Sequence, residues 1–108
     1  MASSLEYMEY VAGQLSGAGA ITYRKLFGEY GIYCDGKFFG TVEDNQFYLK
    51  VTQAGFDLMP QAEVVSPREG ARFFLIEELE NRDFLAELVQ RTCELLPAPK
   101  PRKKPKRI

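Results

Sequence analysis

The sequence predicts a single small α+β domain, because helical and strand-like apolar patterns occupy different parts of the chain. Apolar residues at helical spacing occur near the N-terminus and again near residue 96, and short alternating apolar runs lie between them. Asp35-Gly36 separates two of these runs by two residues, which is the spacing of a tight β-hairpin. The expected order is an N-terminal helix, an antiparallel β-meander, a short helix, a β-hairpin and a C-terminal helix.

The N-terminal helix is predicted by one apolar stripe, formed by Leu5, Met8, Ala12 and Leu15. Ser3 followed by Glu6 fits a capping box, in which each side chain bonds the free backbone N–H of the other residue. Gly17-Ala18-Gly19 is expected to end the helix, since glycine is a poor helix former. We expect the stripe to pack on the core.

The meander is predicted to have three or four strands and to begin with a strand from Ile21 to Phe27. Asp35-Gly36 suits a type I′ turn, which needs φ > 0 at both central residues. Glu43-Asp44-Asn45 is expected to form the next turn, because asparagine tolerates the left-handed region. Phe47, Leu49 and Val51 then alternate with polar or half-polar residues, as in a half-buried strand.

The second half of the domain is predicted to hold a helix, a hairpin and a further helix. Thr52 is expected to cap a short helix over residues 53–59, which Pro60 must end. Residues 62–65 and 71–76 are expected to pair as a hairpin around the turn at residues 67–70. Asn81 is expected to cap the last helix, whose inner stripe is Phe84 or Leu85, Leu88, Thr92 and Leu95.

The charge is divided unevenly along the chain, although the net charge is only −1. Residues 1–96 hold all 15 acidic residues and eight basic ones, a net charge of −7. Residues 97–108 hold six basic residues, four prolines and no acid. Because proline lacks a backbone donor and like charges repel, we predict a folded domain over residues 1–96 and a disordered basic tail over 97–108.

One ordered set of residues in the meander resembles a known family. The set is Arg24, Phe27, Gly28, Gly31, Asp35, Gly36 and Lys50, together with the aromatic residues between them. It is similar to the N-terminal domain family of TfoX/Sxy, the bacterial regulators of natural competence, and the similarity covers roughly residues 4 to 96. The resemblance implies a small α+β domain with a regulatory role. It assigns no role to these seven residues and brings no catalytic residue.

The residues that most enzymes and metal sites need are scarce in this sequence. Without histidine, neither a Ser-His-Asp nor a Cys-His nucleophile can be built. Gly28-x-x-Gly31 lacks the third glycine and the lysine of phosphate-binding loops, so we expect these glycines to serve a bulge or tight turn. Cys34 and Cys93 alone do not complete a zinc shell, and a disulfide is disfavoured because cytosolic thiols stay reduced. We therefore expect no enzyme, metal or cofactor.

Two readings of Arg24 and Lys50 are open from the sequence. In the first reading, the two cations lie on neighbouring strands, share a face and bind an anion or an acidic partner. Alternatively, each side chain covers an aromatic neighbour with its methylenes and pairs with a local carboxylate such as Glu29, which is the reading we favour. Stacking of single-stranded bases on the meander aromatics is disfavoured, since a body of net charge −7 repels phosphates.

The sequence therefore predicts a cytoplasmic, non-enzymatic regulatory or protein-interaction module, linked through the resemblance to competence or transcription. We expect a protein partner and no membrane association, and the sequence is also compatible with a homodimer. The alternative is a nucleic-acid-associated protein anchored non-specifically by its tail. The tail residues that would contact phosphates are Lys100, Arg102, Lys103, Lys104, Lys106 and Arg107.

Overall fold

The computed structural model describes residues 3–26, 28–67 and 69–97, and it confirms the predicted α+β order of elements. The three α-helices are α1 (Leu5–Leu15), α2 (Gln53–Leu58) and α3 (Arg82–Glu94), and a 3₁₀ turn (Ser16–Ala18) follows α1. The six strands are β1 (Ile21–Leu26), β2 (Glu29–Cys34), β3 (Lys37–Glu43), β4 (Gln46–Lys50), β5 (Val64–Val65) and β6 (Phe73–Ile76).

All six strands form one antiparallel sheet in the order β1-β2-β3-β4-β6-β5. The meander therefore has four strands, and the predicted hairpin β5–β6 joins it through β6. Asp35 (φ 51°) and Gly36 (φ 86°) both take positive φ between β2 and β3, which confirms the predicted turn. Asp44 and Asn45 do the same between β3 and β4, with φ of 54° and 55°.

The hydrophobic core lies between the three helices and one face of the sheet. Alternate strand residues point to this face, and those fully buried include Ile32, Phe39, Phe47, Leu49 and Phe74. The helices contribute Met8, Val11 and Leu15 from α1 and Leu85, Leu88 and Val89 from α3. The helices that the structure describes are all too short or too polar to cross a bilayer.

The start of α1 differs from the prediction by one residue. Ser4 is the N-cap, and its side chain accepts a hydrogen bond from the backbone N–H of Tyr7 at 3.1 Å. Ser3 instead accepts from the N–H of Asn45 at 2.8 Å, so it joins α1 to the β3–β4 turn. The expected core residue Leu5 is the first residue of α1 and is 52% exposed, whereas Val11 is fully buried and belongs to the stripe.

The two later helices confirm one predicted cap and correct another. Asn81 caps α3, since its side-chain oxygen accepts from the N–H of Phe84 at 3.1 Å. Thr52 precedes α2 but makes no capping bond, and its buried hydroxyl has no hydrogen-bond partner among the residues that the structure describes. Leu95 is 56% exposed because α3 ends at Glu94, and Val89 and Cys93 face the core instead.

Candidate functional site

The face of the sheet opposite the helices carries a set of aromatic and cationic side chains. We call this set the open face, and it consists of Arg24, Tyr33, Phe38, Thr41, Tyr48, Lys50, Arg72 and Phe73. For all of these residues except Arg72, the registers place the side chain opposite the core-facing positions of the same strand, because successive side chains of a strand point to opposite faces. Arg72 directly precedes β6 and belongs to the set because it lines the same groove as Lys50 and Phe73. Five of the six strands or their ends therefore contribute to one surface.

Aromatic rings on the open face contact one another and lie beneath cations. The Tyr33 and Phe38 rings lie 5.4 Å apart between centroids, and the Tyr48 and Phe73 rings lie 6.3 Å apart. The Arg24 guanidinium carbon lies 5.4 Å from the centre of the Tyr33 ring, and the Lys50 ammonium lies 4.6 Å from that of Phe38. Each such cation–π contact contributes about 0.5–1 kcal/mol at an exposed site.

Arg24 and Lys50 combine the two readings that the sequence left open. They share a face, as the first reading requires, but they do not lie on neighbouring strands, because β2 and β3 separate β1 from β4. Each cation lies over an aromatic ring, as the second reading requires. Glu29 is not the ion-pair partner that the second reading named. Its two carboxylate oxygens accept from the backbone N–H groups of Ser3 at 3.0 Å and Asp44 at 2.9 Å.

A groove of about 720 Å³ runs across the open face. It extends from Leu26 at the end of β1, over Phe38 and Lys50, to Arg72 and Phe73 on the β6 side. Two carboxylates, of Glu29 and Glu43, also line it. Both are engaged within the protein, because Glu29 bonds the two backbone amides and Glu43 accepts from the Thr41 hydroxyl at 2.8 Å.

The cations of the groove are less engaged than its acids. Among the described residues, Lys50 and Arg72 take part in no hydrogen bond or ion pair. Cations on the helical side, in contrast, contact carbonyl or carboxylate oxygens of the protein. Lys37 donates to the Cys93 carbonyl at 2.8 Å, Arg82 donates to the Gly13 carbonyl at 3.0 Å, and Arg91 lies 3.7 Å from a carboxylate oxygen of Glu87. The open face therefore presents positive charge that the fold leaves available.

The acidic residues lie mostly on the other side of the molecule. Those exposed on α1, on α3 and in the segment between β6 and α3 are Glu6, Glu9, Glu77, Glu78, Glu80, Asp83, Glu87 and Glu94. In the described part of the domain the helical side is thus mainly acidic, whereas on the open face the three cations outnumber the two carboxylates of the groove. Such a separation of charge selects the sign of what approaches each side.

The Tyr48 hydroxyl is the buried phenol of the open face. It donates a hydrogen bond to the side-chain oxygen of Gln46 at 2.9 Å. Burial raises the pKa of this phenol above its usual value, and the carboxylates of Glu43 and Asp44 raise the pKa further. The hydroxyl therefore stays protonated at neutral pH and adds no negative charge to the open face.

The glycines of the motif have structural reasons to be glycine. A Cβ on Gly31 would lie 2.6 Å from Leu26 Cδ1 and 3.1 Å from Phe38 Cε1, so the missing side chain lets both residues close over β2. Gly28 has a φ of 84°, which a residue with a side chain rarely adopts. The register shift of the sheet lies between Ile32 and Tyr33, so the bulge is not at either glycine.

A comparison with protein families identifies the fold that builds this site. The TfoX N-terminal domain matches residues 13–95, which is most of the chain. The protein belongs to this family. A similar protein from Spirochaeta aurantia, described as an uncharacterized 12.7 kDa protein in the trpE 5′ region, is 33% identical over 105 residues. The match covers 95% of the present chain and 91% of that relative, so the two chains are of similar length.

The seven residues of the TfoX-like pattern fall into three groups in the structure. Arg24, Gly31 and Lys50 belong to the open face or support it. Gly28, Asp35 and Gly36 lie in turns, and Phe27 lies outside the described residues. The six basic tail residues also lie outside them, so the tail prediction stays a prediction.

Sequence reasoning missed several residues of the groove. Thr41, Arg72 and Phe73 line it together with Lys50, although they come from three different strands or strand ends. The alternation of β3 and β6 assigns the faces of Thr41 and Phe73, but only the pairing of β4 with β6 brings Phe73 beside Lys50. Across residues 3–26, 28–67 and 69–97, no group of three or more Cys, Asp or Glu side chains is placed to hold a metal ion.

Proposed function

We propose that this TfoX N-terminal domain is a non-enzymatic regulatory module that binds an acidic segment of a protein partner. The open face is the binding surface, and the observation that carries the proposal is its row of cations and aromatic rings. Lys50 and Arg72 have no ion pair or hydrogen bond among the described residues, whereas the groove carboxylates are engaged. An acidic segment complements that charge.

The composition of the open face supports binding to a protein. Tyrosine and arginine are enriched among residues whose truncation weakens protein complexes, and here Tyr33 and Arg24 stack on one another. A groove of about 720 Å³ accommodates a few side chains rather than a whole domain. The occupant we propose is therefore a short segment that carries carboxylates and one or two apolar residues.

A regulatory role in transcription or competence is the finer part of the proposal and rests on the family. In this reading, the domain recruits or holds a partner and carries out no chemistry. A cytoplasmic location follows from that role.

Binding can be tested with a synthetic peptide of alternating glutamate and phenylalanine, titrated into the labelled protein and followed by NMR. We expect amide shifts to concentrate on β1, β4 and the start of β6. A peptide with lysine in place of glutamate is the charge control and should bind at least about tenfold more weakly. Equal binding of the two peptides, or shifts confined to α1 and α3, would contradict the proposal.

Variants locate the surface in a native cell extract. The double change Arg24→Gln and Lys50→Met removes two positive charges while keeping long side chains over the rings. The matched control Arg91→Gln removes a positive charge from α3, on the helical side. A partner captured by the unaltered chain should be lost with the double variant and retained with the control. Retention by both variants would place the partner elsewhere.

The second candidate, nucleic-acid binding through the tail, rests on the six basic residues of 97–108. If about five charges neutralise phosphates, the logarithm of affinity should fall with the logarithm of salt at a slope of about −4 to −5. Changing Lys103, Lys104, Lys106 and Arg107 to Gln should abolish this binding, and changing Arg24 and Lys50 should leave it nearly intact. Sequence-selective DNA binding that survives removal of 97–108 would instead indicate a recognition surface on the folded domain.

A further inference from the structure

The two cysteines are distant in sequence but lie side by side in the fold. Cys34 is the last residue of β2, and Cys93 lies in the last turn of α3. Both line a small cavity of about 320 Å³ at the end of the β2–β3 hairpin. The two residues are 3% and 8% exposed, so the thiols are buried at the wall of this cavity.

Backbone and side-chain contacts hold the two thiols in this arrangement. The Sγ of Cys34 lies 3.8 Å from the Ala18 carbonyl oxygen, which also accepts from the side-chain amide of Gln90 at 3.2 Å. Gln90 lies one helical turn before Cys93. On the other side, Lys37 pairs with Cys34 across the hairpin and donates its ammonium to the Cys93 carbonyl at 2.8 Å. The two thiols are close enough for each to influence the pKa of the other.

The charged groups that face the pair come from two elements. Asp35 and Lys37 belong to the hairpin, and Glu94 belongs to α3. Burial, with a smaller contribution from the neighbouring Cys34, raises the pKa of Cys93 to about 12, and Lys37 opposes the shift. Burial also raises the pKa of Cys34, with a contribution from Asp35. At neutral pH both side chains are therefore thiols that keep their protons.

We propose that Cys34 and Cys93 form a redox-active dithiol, which a small-molecule disulfide such as oxidised glutathione converts into an intramolecular disulfide. One cysteine loses its proton, and its thiolate attacks the oxidant. A mixed disulfide forms and one glutathione thiolate leaves. The second cysteine then loses its proton and attacks the protein sulfur, which forms the Cys34–Cys93 bond and expels the second glutathione. The protein loses two protons and two electrons, and one oxidised glutathione becomes two reduced molecules.

The inference is independent of the open face, because the dithiol lies on the helical side of the sheet. Its consequence is mechanical. The bond would join the end of β2 to the last turn of α3, and it would close a loop that contains most of the sheet. A crosslink between segments already in contact restricts the unfolded chain more than the folded one.

The full-length protein can be incubated with oxidised glutathione, trapped with a maleimide and weighed intact under non-reducing conditions. We expect a product lighter by two hydrogens, with no glutathione and no maleimide attached. Its rate of formation should rise by about tenfold per pH unit between about pH 7 and pH 9, because the thiolate fraction grows with pH below the raised pKa. A stable glutathione adduct on either cysteine, or full maleimide labelling after oxidation, would overturn the proposal.

The melting temperature gives a second readout on the same samples. We expect oxidation to raise the melting temperature by about 10 °C or more, since the closed loop is long. Cys34→Ala and Cys93→Ala are the controls, and neither should gain stability from the oxidant. A fall in the melting temperature on oxidation of the unaltered chain would show that the folded geometry does not fit the bond. Formation of the disulfide only in the urea-unfolded chain would also show that the folded geometry does not fit the bond.

Discussion

Two adjacent phenylalanines on β3 show how differently the two faces of the sheet are used. Phe39 is fully buried among the helices and contacts Phe47, with ring centroids 6.3 Å apart. Phe38, one residue earlier, is half-buried on the open face between Tyr33 and the Lys50 ammonium. The helical face is closed by complementary apolar packing. The open face keeps cations that packing does not need, which is why we assign binding to it.

The largest difference between the faces should appear when each phenylalanine is shortened. We expect Phe39→Ala to lower the free energy of unfolding by about 3–5 kcal/mol, because it leaves a cavity in a closed core. Phe38→Ala should cost only about 1 kcal/mol, since one side of its ring borders the groove. Urea unfolding of the two variants measures both values, and equal losses would show that the open face is as tightly packed as the core.

The stability of the turn between β2 and β3 should depend on its backbone conformation rather than on packing against either face of the sheet. Replacing Gly36 with Val places a β-branched residue at φ 86°, and we expect a loss of about 1–3 kcal/mol. Gly13→Ala in α1 is the matched glycine control. A Cβ there meets nothing within 4 Å, so this variant should gain about 0.5–1 kcal/mol. An unchanged denaturant midpoint for Gly36→Val would contradict the strained-turn argument.

Substitutions at the N-termini of α2 and α3 should change stability less than the previous variants, and the two can be compared directly. Asn81→Ala removes a capping bond and should cost about 1 kcal/mol. Thr52→Val removes a hydroxyl that makes no hydrogen bond within the described part of the chain, so stability should stay the same or rise slightly. Thermal unfolding of both variants checks this, and a large loss for Thr52→Val would reveal a partner for the hydroxyl.

The cations of the open face should have the smallest effect on stability. Arg24→Gln and Lys50→Met each remove one cation–π contact and should each change the free energy of unfolding by less than about 1 kcal/mol. The same variants are expected to weaken binding of the acidic peptide. A large loss of stability would mean that these residues serve the fold rather than a partner, and it would remove the main support for the proposed binding surface.

Sequence patterns predicted the elements well where the cause is local. The Asp35-Gly36 turn, the Asn81 cap and the alternation of Phe47 and Leu49 all follow from backbone or side-chain preferences of a few neighbouring residues. The errors lie at helix ends. Ser3 and Ser4 are equally good caps in isolation, and a distant contact, from Ser3 to Asn45, decides between them.

The candidate site was only half visible in the sequence. Arg24 and Lys50 drew attention as cations among aromatics, and their shared face could be argued from strand alternation. Arg72 and Phe73 gave no signal, because their place beside Lys50 depends on β6 pairing with β4. The contact between Cys34 and Cys93 gave none either, since no local preference links a hairpin to a helix that comes much later.

The sequence by itself determined the elements, their approximate bounds, the tight turns and the division of charge along the chain. These follow from the period of apolar residues, from backbone preferences and from composition, all of which act over a few residues. Only the tertiary structure decided which sheet face the helices cover, which cations stay unpaired and which thiols meet. Those outcomes depend on the docking of segments far apart in the chain, where packing and long-range pairing override local preference.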